Sequence, residues 1–443
     1  MPHSLRFILL LCWSLLPLLG SVRAQDLYFP PVVGNEWEQL DPGTLDYDPE
    51  RIEALYGFLD RTNTKAFVLL YKGRIVLDHY MNGFGADSLH YWASAGKTLL
   101  SAAVGIAAEE GHLELDAASS TYLGTGWTQC SPGAEADITV LDHLRMTTGL
   151  DDTGDFFCTD AACLTCLAEP GTRWAYYNAP FTKLHDVLAA ATGQTPTQFI
   201  RQRFRATTGI AGGYVSLGPY NEVFLSTPRV MARFGLLLLN RGAWAGEQII
   251  PAAYHARMTT PSQSINASYG LLTWLNGQST HMLNGSREVY TGPLLPAAPA
   301  DTYFAAGKNG QFINVAPSQQ LVWVRVGGSP TEAEDYVATV YNDEIWGYVN
   351  RLRKSTSTAL GLQRQAPRLA VAPNPAVHEV RLTAEEPPSS VVIYDATGRR
   401  VSFLEPKLAT VSVSVRELPA GPYRLVCFWA DGRRADRTLS VVH

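Results

Sequence analysis

Charge is in short supply. Asp, Glu, Lys and Arg make up 17% of the 443 residues, and 35 basic against 41 acidic side chains leave a formal charge of -6. The basic residues are scattered, so no stripe exists for a nucleic-acid backbone and no polybasic patch for an anionic membrane surface. Long apolar runs are also lacking beyond the N-terminus. There "FILLLCWSLLPLLG" begins just after Arg6 and leads into "SVRAQ", the pattern of a secretory signal peptide cut near Ala24–Gln25. That run is too short for a comfortable bilayer span. The expectation is a soluble, exported mature chain.

Several catalytic signatures are missing. No G-x-S-x-G elbow exists, since Ser216 sits in "GGYVSLGP". No H-E-x-x-H zinc motif occurs, and the acids Asp151, Asp152 and Asp155 lack a complete calcium-loop pattern. Cysteine is sparse but clustered. Cys12 lies in the apolar leader, whereas Cys130, Cys158, Cys163 and Cys166 share one region. In an oxidising compartment these four read as disulfides, with three pairings open. A zinc site is the weaker reading, because "CTDAACLTC" has no second C-x-x-C and no nearby histidine. Cys427, alone in "YRLVCFWA", reads as a buried thiol.

The remaining pattern divides the chain. "KAFVLLYKGRIVLDHYM" holds two β-rich runs around Lys72-Gly73, a hairpin signal. "KTLLSAAVGIAAEEG" is apolar on nearly every side, which predicts a buried helix. Helical patterns follow at "ITVLDHLRMTTG", "APFTKLHDVLAAATG" and "TPRVMARFGLLLLNRG". Strands return at "TYFAAGKNGQFINVAP" and "QLVWVRVGG", before the helical spacing of residues 332–354. This order predicts an α/β (α+β) fold, an antiparallel sheet flanked by helices with a helical subdomain inserted. Residues 354–367 read as a polar linker, and 368–443 as short alternating strands of a small all-β sandwich. The expected division is therefore 1–24 leader, 25–353 main α/β domain, 354–367 linker and 368–443 C-terminal β-sandwich domain.

Three short motifs carry chemistry. In "SAGK", Ser94 and Lys97 stand three apart, so on a helix they face the same way. A partly desolvated lysine loses its proton readily and can take a serine's hydrogen. Alone, the pattern favours an ordinary polar helix start. In "PGTRWAYYNAP", Tyr176 could relay a proton and Asn178 could orient the lysine and a substrate. The plain alternative is an aromatic and a capping residue at a helix entrance. In "AAGKNGQF", Lys308 and Gly310 are expected on a strand ahead of a hairpin. Gly310 would let a ligand lie against the strand edge, Lys308 would supply positive potential, and the Gln311 amide could join that of Ser94 as an oxyanion hole.

Taken together, residues from about 45 to 352 resemble the serine β-lactamase and penicillin-binding-protein superfamily, on its class C and esterase side. The resemblance rests on "SAGK", "YYN" and "KNG", with "ITVLDHLRMTTGL" and "STPRVMARFGLLLLNRG" around them. It implies an acyl-enzyme on Ser94, with Lys97 and Tyr176 handling the proton and Asn178 positioning lysine and substrate. It calls for no cofactor and no metal. Asn309 stands where the family pattern places a hydroxyl residue that helps bind a β-lactam carboxylate, and "GKNGQ" looks closer to the 6-aminohexanoate-dimer hydrolase and esterase branch. An ester or small linear amide is thus the expected substrate. The alternatives are a β-lactamase, a D-Ala-D-Ala peptidase, or a non-catalytic surface binding protein keeping the fold.

The last 76 residues resemble the sorting domain of type IX secretion cargo, on "APNPA" (Pro373, Asn374, Pro375), "VVIYDATGRRV" (Gly398) and "LPAGPYRL" (Gly421, Tyr423). That implies the type IX machinery as a partner and delivery to the cell surface or medium. A generic adhesion or carbohydrate-binding sandwich is the alternative.

Overall fold

The computed structural model describes residues 27–33, 36–217, 220–330, 339–354, 368–395, 400–404, 406–429 and 434–442. The expected leader, all of the linker except Lys354, and Gly398 lie outside the described residues.

Six antiparallel strands build the central sheet: β1 (Thr64–Tyr71), β2 (Arg74–Tyr80), β3 (Trp274–Leu275), β4 (Tyr303–Gly307), β5 (Gln311–Ala316) and β6 (Leu321–Gly327). Their spatial order is β2-β1-β6-β5-β4-β3. Lys72 and Gly73 close the β1–β2 hairpin with φ of 50° and 82°, the left-handed pair that tight hairpins favour. Every residue of β5 and β6 is buried, because helices cover both faces of the sheet. Side chains alternate along a strand. Ile313 and Val322 accordingly meet Gly235 of one helix, while Asn314 and Trp323 meet Trp346 of another.

The covering helices are α1 (Pro49–Arg61), α2 (Gly96–Glu109), α3 (Asn178–Thr192), α4 (Pro228–Leu239) and α5 (Thr339–Val349). The α4 helix starts where Thr227 accepts from the Val230 amide and Pro228 fills the first turn. It crosses β1, β5 and β6 on one face, and α1 with α5 lies on the other. The expected antiparallel α/β sheet with a helical insert is present. The α2 helix is buried continuously from Gly96 to Ala107, matching its all-apolar sequence.

One expectation changes. Lys308 and Gly310 do not sit on a strand ahead of the hairpin; with Asn309 they form its turn, between β4 and β5. Asn309 and Gly310 take left-handed φ of 63° and 74°, which ends strand geometry at Gly307.

Among the described residues from 368 onward, seven strands form a three-stranded and a four-stranded antiparallel sheet. Leu369, Val380 and Leu382 of the first share one core with Val391, Ile393 and Leu425 of the second, as in a sandwich. In the helical region the cysteines pair as Cys130–Cys166 and Cys158–Cys163, with Cα atoms 5.3 and 6.0 Å apart, and Cys427 is free and buried. No described helix is long and apolar enough to cross a membrane.

At Gly105, in the middle of α2, an added Cβ would lie 2.2 Å from the buried Tyr254 ring. Gly105→Ala is therefore expected to lower unfolding stability by about 1–3 kcal/mol through overpacking, measurable by denaturant titration. An unchanged transition midpoint would refute this close helix contact.

Candidate active site

Ser94 is presented by a strained turn. The two residues His90 and Tyr91 pair with Leu225 and Ser226, and the Trp92 amide donates to Phe224 O at 2.8 Å. Trp92 Nε1 also donates to Ser226 Oγ at 2.7 Å, so the chain entering the turn is fixed on both sides. Ala93 then takes φ 48°, a conformation costly for a residue with a Cβ and concentrated at functional sites. Residues Ala93–Ala95 form one short 3-10 turn that runs into α2. Ser94 is partly exposed at this junction, whereas Lys97, one turn later, is buried.

Lys97 Nζ lies 2.9 Å from Ser94 Oγ and 2.8 Å from Asn178 Oδ1. Asn178 is the first residue of α3, and its amide nitrogen donates back to Thr182 Oγ1 at 3.3 Å, which fixes the side chain. Beneath the amine lie two rings, Phe181 at 4.1 Å and Tyr176 at 5.4 Å from Nζ. Burial alone lowers Lys97 from its ordinary 10.5 to about 7. Tyr176 is pushed the other way by burial, opposed by its hydrogen bond to Ser94. Its ring stacks on Trp274 at 5.5 Å and meets Tyr269 edge-on at 6.2 Å. A base drawn down and a phenol held neutral face one hydroxyl, a division of labour suited to acid–base work.

The third motif closes on the same turn. An added Cβ at Gly307 would strike Trp92 O at 2.4 Å and come within 3.0 Å of the Ser94 amide nitrogen. Gly307, one residue before the quoted lysine, is thus a point where β4 abuts the serine. Lys308 follows it, partly exposed. Gly310 has a different neighbour from the one expected. Its missing side chain makes room for Arg325 Nη1, 3.0 Å from a virtual Cβ, and for the Tyr341 ring at 3.1 Å. Asn309 donates to the Tyr91 hydroxyl at 2.8 Å. Gln311 is fully buried, and its side-chain amide spans Lys308 O and Gly327 at 2.8–3.1 Å.

The sequence reading missed several neighbours. Phe181, Thr182 and His185 stand three, four and seven places after Asn178, the spacing of one helix face. His185 is buried without a hydrogen-bond partner, and burial, then the charge of Lys97, lowers it to about 3. Arg325 could have been noticed as a charge in the middle of the apolar "LVWVRVGG". The acids that lacked a calcium pattern are engaged otherwise: Asp152 pairs with both Arg173 and Arg287, while Asp151 and Asp155 bond nearby backbone amides.

Residues 60–342 match the family model described as Beta-lactamase. Among solved structures, the proposed 6-aminohexanoate-dimer hydrolase of Bacillus anthracis superposes with a TM-score of 0.56 at 18% identity, over 74% of this chain and 92% of that one. The proposed beta-lactamase of Bacteroides dorei DSM 17855 gives 0.55 at 15%, over 69% and 99%. A family VIII carboxylesterase gives 0.52 at 17%, over 72% and 99%. At these identities the likeness establishes the fold. A comparison with curated proteins finds no match.

The lowered Lys97 has a consequence for stability. Between about pH 7 and its ordinary 10.5 the unfolded chain holds a proton that the native state has released. Stability should rise with pH across that window, since the unfolded state binds more protons there. Below about pH 7 both states are protonated and the cost of burying the ammonium is constant. Lys97→Met should lack this rise, so the stability difference between variant and wild type should shift in favour of wild type from pH 7 to 10. Parallel pH curves for the two proteins would refute a native Lys97 near 7.

Proposed function

The chain belongs to the beta-lactamase family, and on that premise we propose that it is an exported serine hydrolase cleaving an ester or a small amide through an acyl-enzyme on Ser94. The observation that carries this reading is the buried Lys97 amine, within 2.9 Å of Ser94 Oγ and 2.8 Å of Asn178 Oδ1. Neutral Lys97 takes the Ser94 proton as Oγ attacks the substrate carbonyl. Tyr176, whose burial keeps the phenol protonated, relays a proton to the leaving group. Asn178 holds the amine in line and offers its amide to the substrate. The Ser94 amide and the Gln311 amide bind the oxyanion, with Lys308 and Gly310 shaping that side. Water then releases the acyl group through the same base.

An uncharged ester or linear amide suits this site better than a β-lactam. Asn309, where a carboxylate-binding hydroxyl would stand in the family pattern, is turned to Tyr91. Export is supported by the two disulfides and by the leader pattern. The C-terminal sandwich is the proposed type IX sorting domain. Within it Asn374 is held between Thr438 O and the Ser440 amide at 2.7–2.8 Å, and Tyr423 donates to Pro419 O at 2.7 Å.

Wild-type protein should hydrolyse p-nitrophenyl butyrate faster than nitrocefin, with kcat/KM rising with pH through about 7 as Lys97 becomes neutral. Ser94→Ala should lose at least about 10³-fold, the order seen when a nucleophile is removed. Equal activity in Ser94→Ala would end the proposal. In a bacterium with a type IX apparatus, removing residues 368–443 should retain the hydrolase in the periplasm. Unchanged release to the medium would exclude the sorting role.

A further inference from the structure

We propose that Arg325, which touches neither Ser94 nor Lys97, is the positioning residue that builds the oxyanion hole from the opposite side of the sheet. The inference rests on the serine-hydrolase reading above and deepens it. Arg325 is completely buried in β6. Its guanidinium spends all its donors on neutral oxygens. Nη1 donates to the carbonyls of Asn309 and, at 3.2 Å, Gly310. Nη2 donates to Thr62 O at 2.8 Å and Gly328 O at 3.0 Å, and Nε to Thr64 Oγ1 at 3.0 Å. The Tyr341 ring lies 5.1 Å from the guanidinium carbon, and the glycines at 310 and 327 leave the room it occupies.

The orientation follows from planar trans peptides, in which C=O and the next N–H point in opposite directions. Both described cis bonds lie elsewhere, before Pro373 and Pro375. With the carbonyls of Asn309 and Gly310 drawn to Arg325, the amides of Gly310 and Gln311 point away from it. Arg325 stands two residues after Trp323 in β6 and so shares its α1/α5 face. The Ser94 turn packs on the other face, where Trp92 meets Phe234 of α4 with ring centroids 5.9 Å apart. The amides are therefore turned toward the side that holds the nucleophile. A lysine at 325 would carry the charge but has three donors on one atom, too few for five acceptor oxygens spread over three segments.

The test compares full-length wild type, Arg325→Gln and Arg325→Lys. A fluorophosphonate titrates Ser94, so that kcat for p-nitrophenyl butyrate is expressed per reactive serine. Arg325→Gln is expected to lose about 100-fold in kcat per titrated site, the order found when an oxyanion donor is removed, with KM little changed. The labelling rate should fall in step, because the tetrahedral phosphorus adduct places an oxygen in the same hole. Arg325→Lys should recover only part of the loss. If kcat per titrated site and labelling rate match wild type while melting temperature drops, Arg325 is merely structural and the inference fails. Should Arg325→Gln not fold, Arg325→Lys decides by the same two rates. A wild-type chain that neither labels nor turns over would instead overturn the serine-hydrolase reading, and this inference with it.

Discussion

Lys97 is held by two neutral oxygens in a box of aromatic rings, and among the described residues no carboxylate pairs with it. Burial penalises the charged form of an amine in that setting, and no described carboxylate offsets the penalty, so its proton is held less tightly than usual. The buried α2, the exact seat of Asn178 at the head of α3, and the aromatic stack behind Tyr176 all bear on this one amine. The strained φ at Ala93 belongs to the same arrangement, since it turns the chain sharply enough to leave Ser94 partly exposed above a buried amine.

The central sheet matters to the site because it has two covered faces. One face carries α4 and the turn that presents Ser94; the other carries α1, α5 and the Arg325 guanidinium. The turn at Lys308–Gly310 sits at the sheet end and is touched from both sides, by the Ser94 turn through Gly307 and by Arg325 through its carbonyls. Its two left-handed residues are therefore doing more than reversing the chain. They set which way the peptide dipoles point next to Ser94.

The third motif also separates this chain from the pattern it resembles. A threonine or serine between lysine and glycine would offer a hydroxyl to a substrate. Asn309 has a longer side chain, and in its left-handed turn that side chain reaches the Tyr91 hydroxyl. The substitution and its partner are readable together only in the fold, because Tyr91 and Asn309 are 218 positions apart.

Local pattern determined much of this protein. The β1–β2 hairpin, the all-apolar α2, the helix faces of α3 and α4 and the C-terminal strands each follow from periodicity and turn residues within a short window. Ser94 and Lys97 share one helical turn, so their proximity was legible too. What the sequence could not decide were relations between distant segments. The cysteine pairing, the role of Gly310 as space for a guanidinium, the place of the Phe181 ring under Lys97, and the carbonyl contacts of Arg325 all depend on which side chains the packed fold brings together. The hairpin turn at residues 308–310 is likewise hard to read locally, because it lies inside the longer strand-like stretch "TYFAAGKNGQFINVAP". The left-handed φ of Asn309 and Gly310, held in place by a buried arginine from another strand, is a product of the tertiary structure alone.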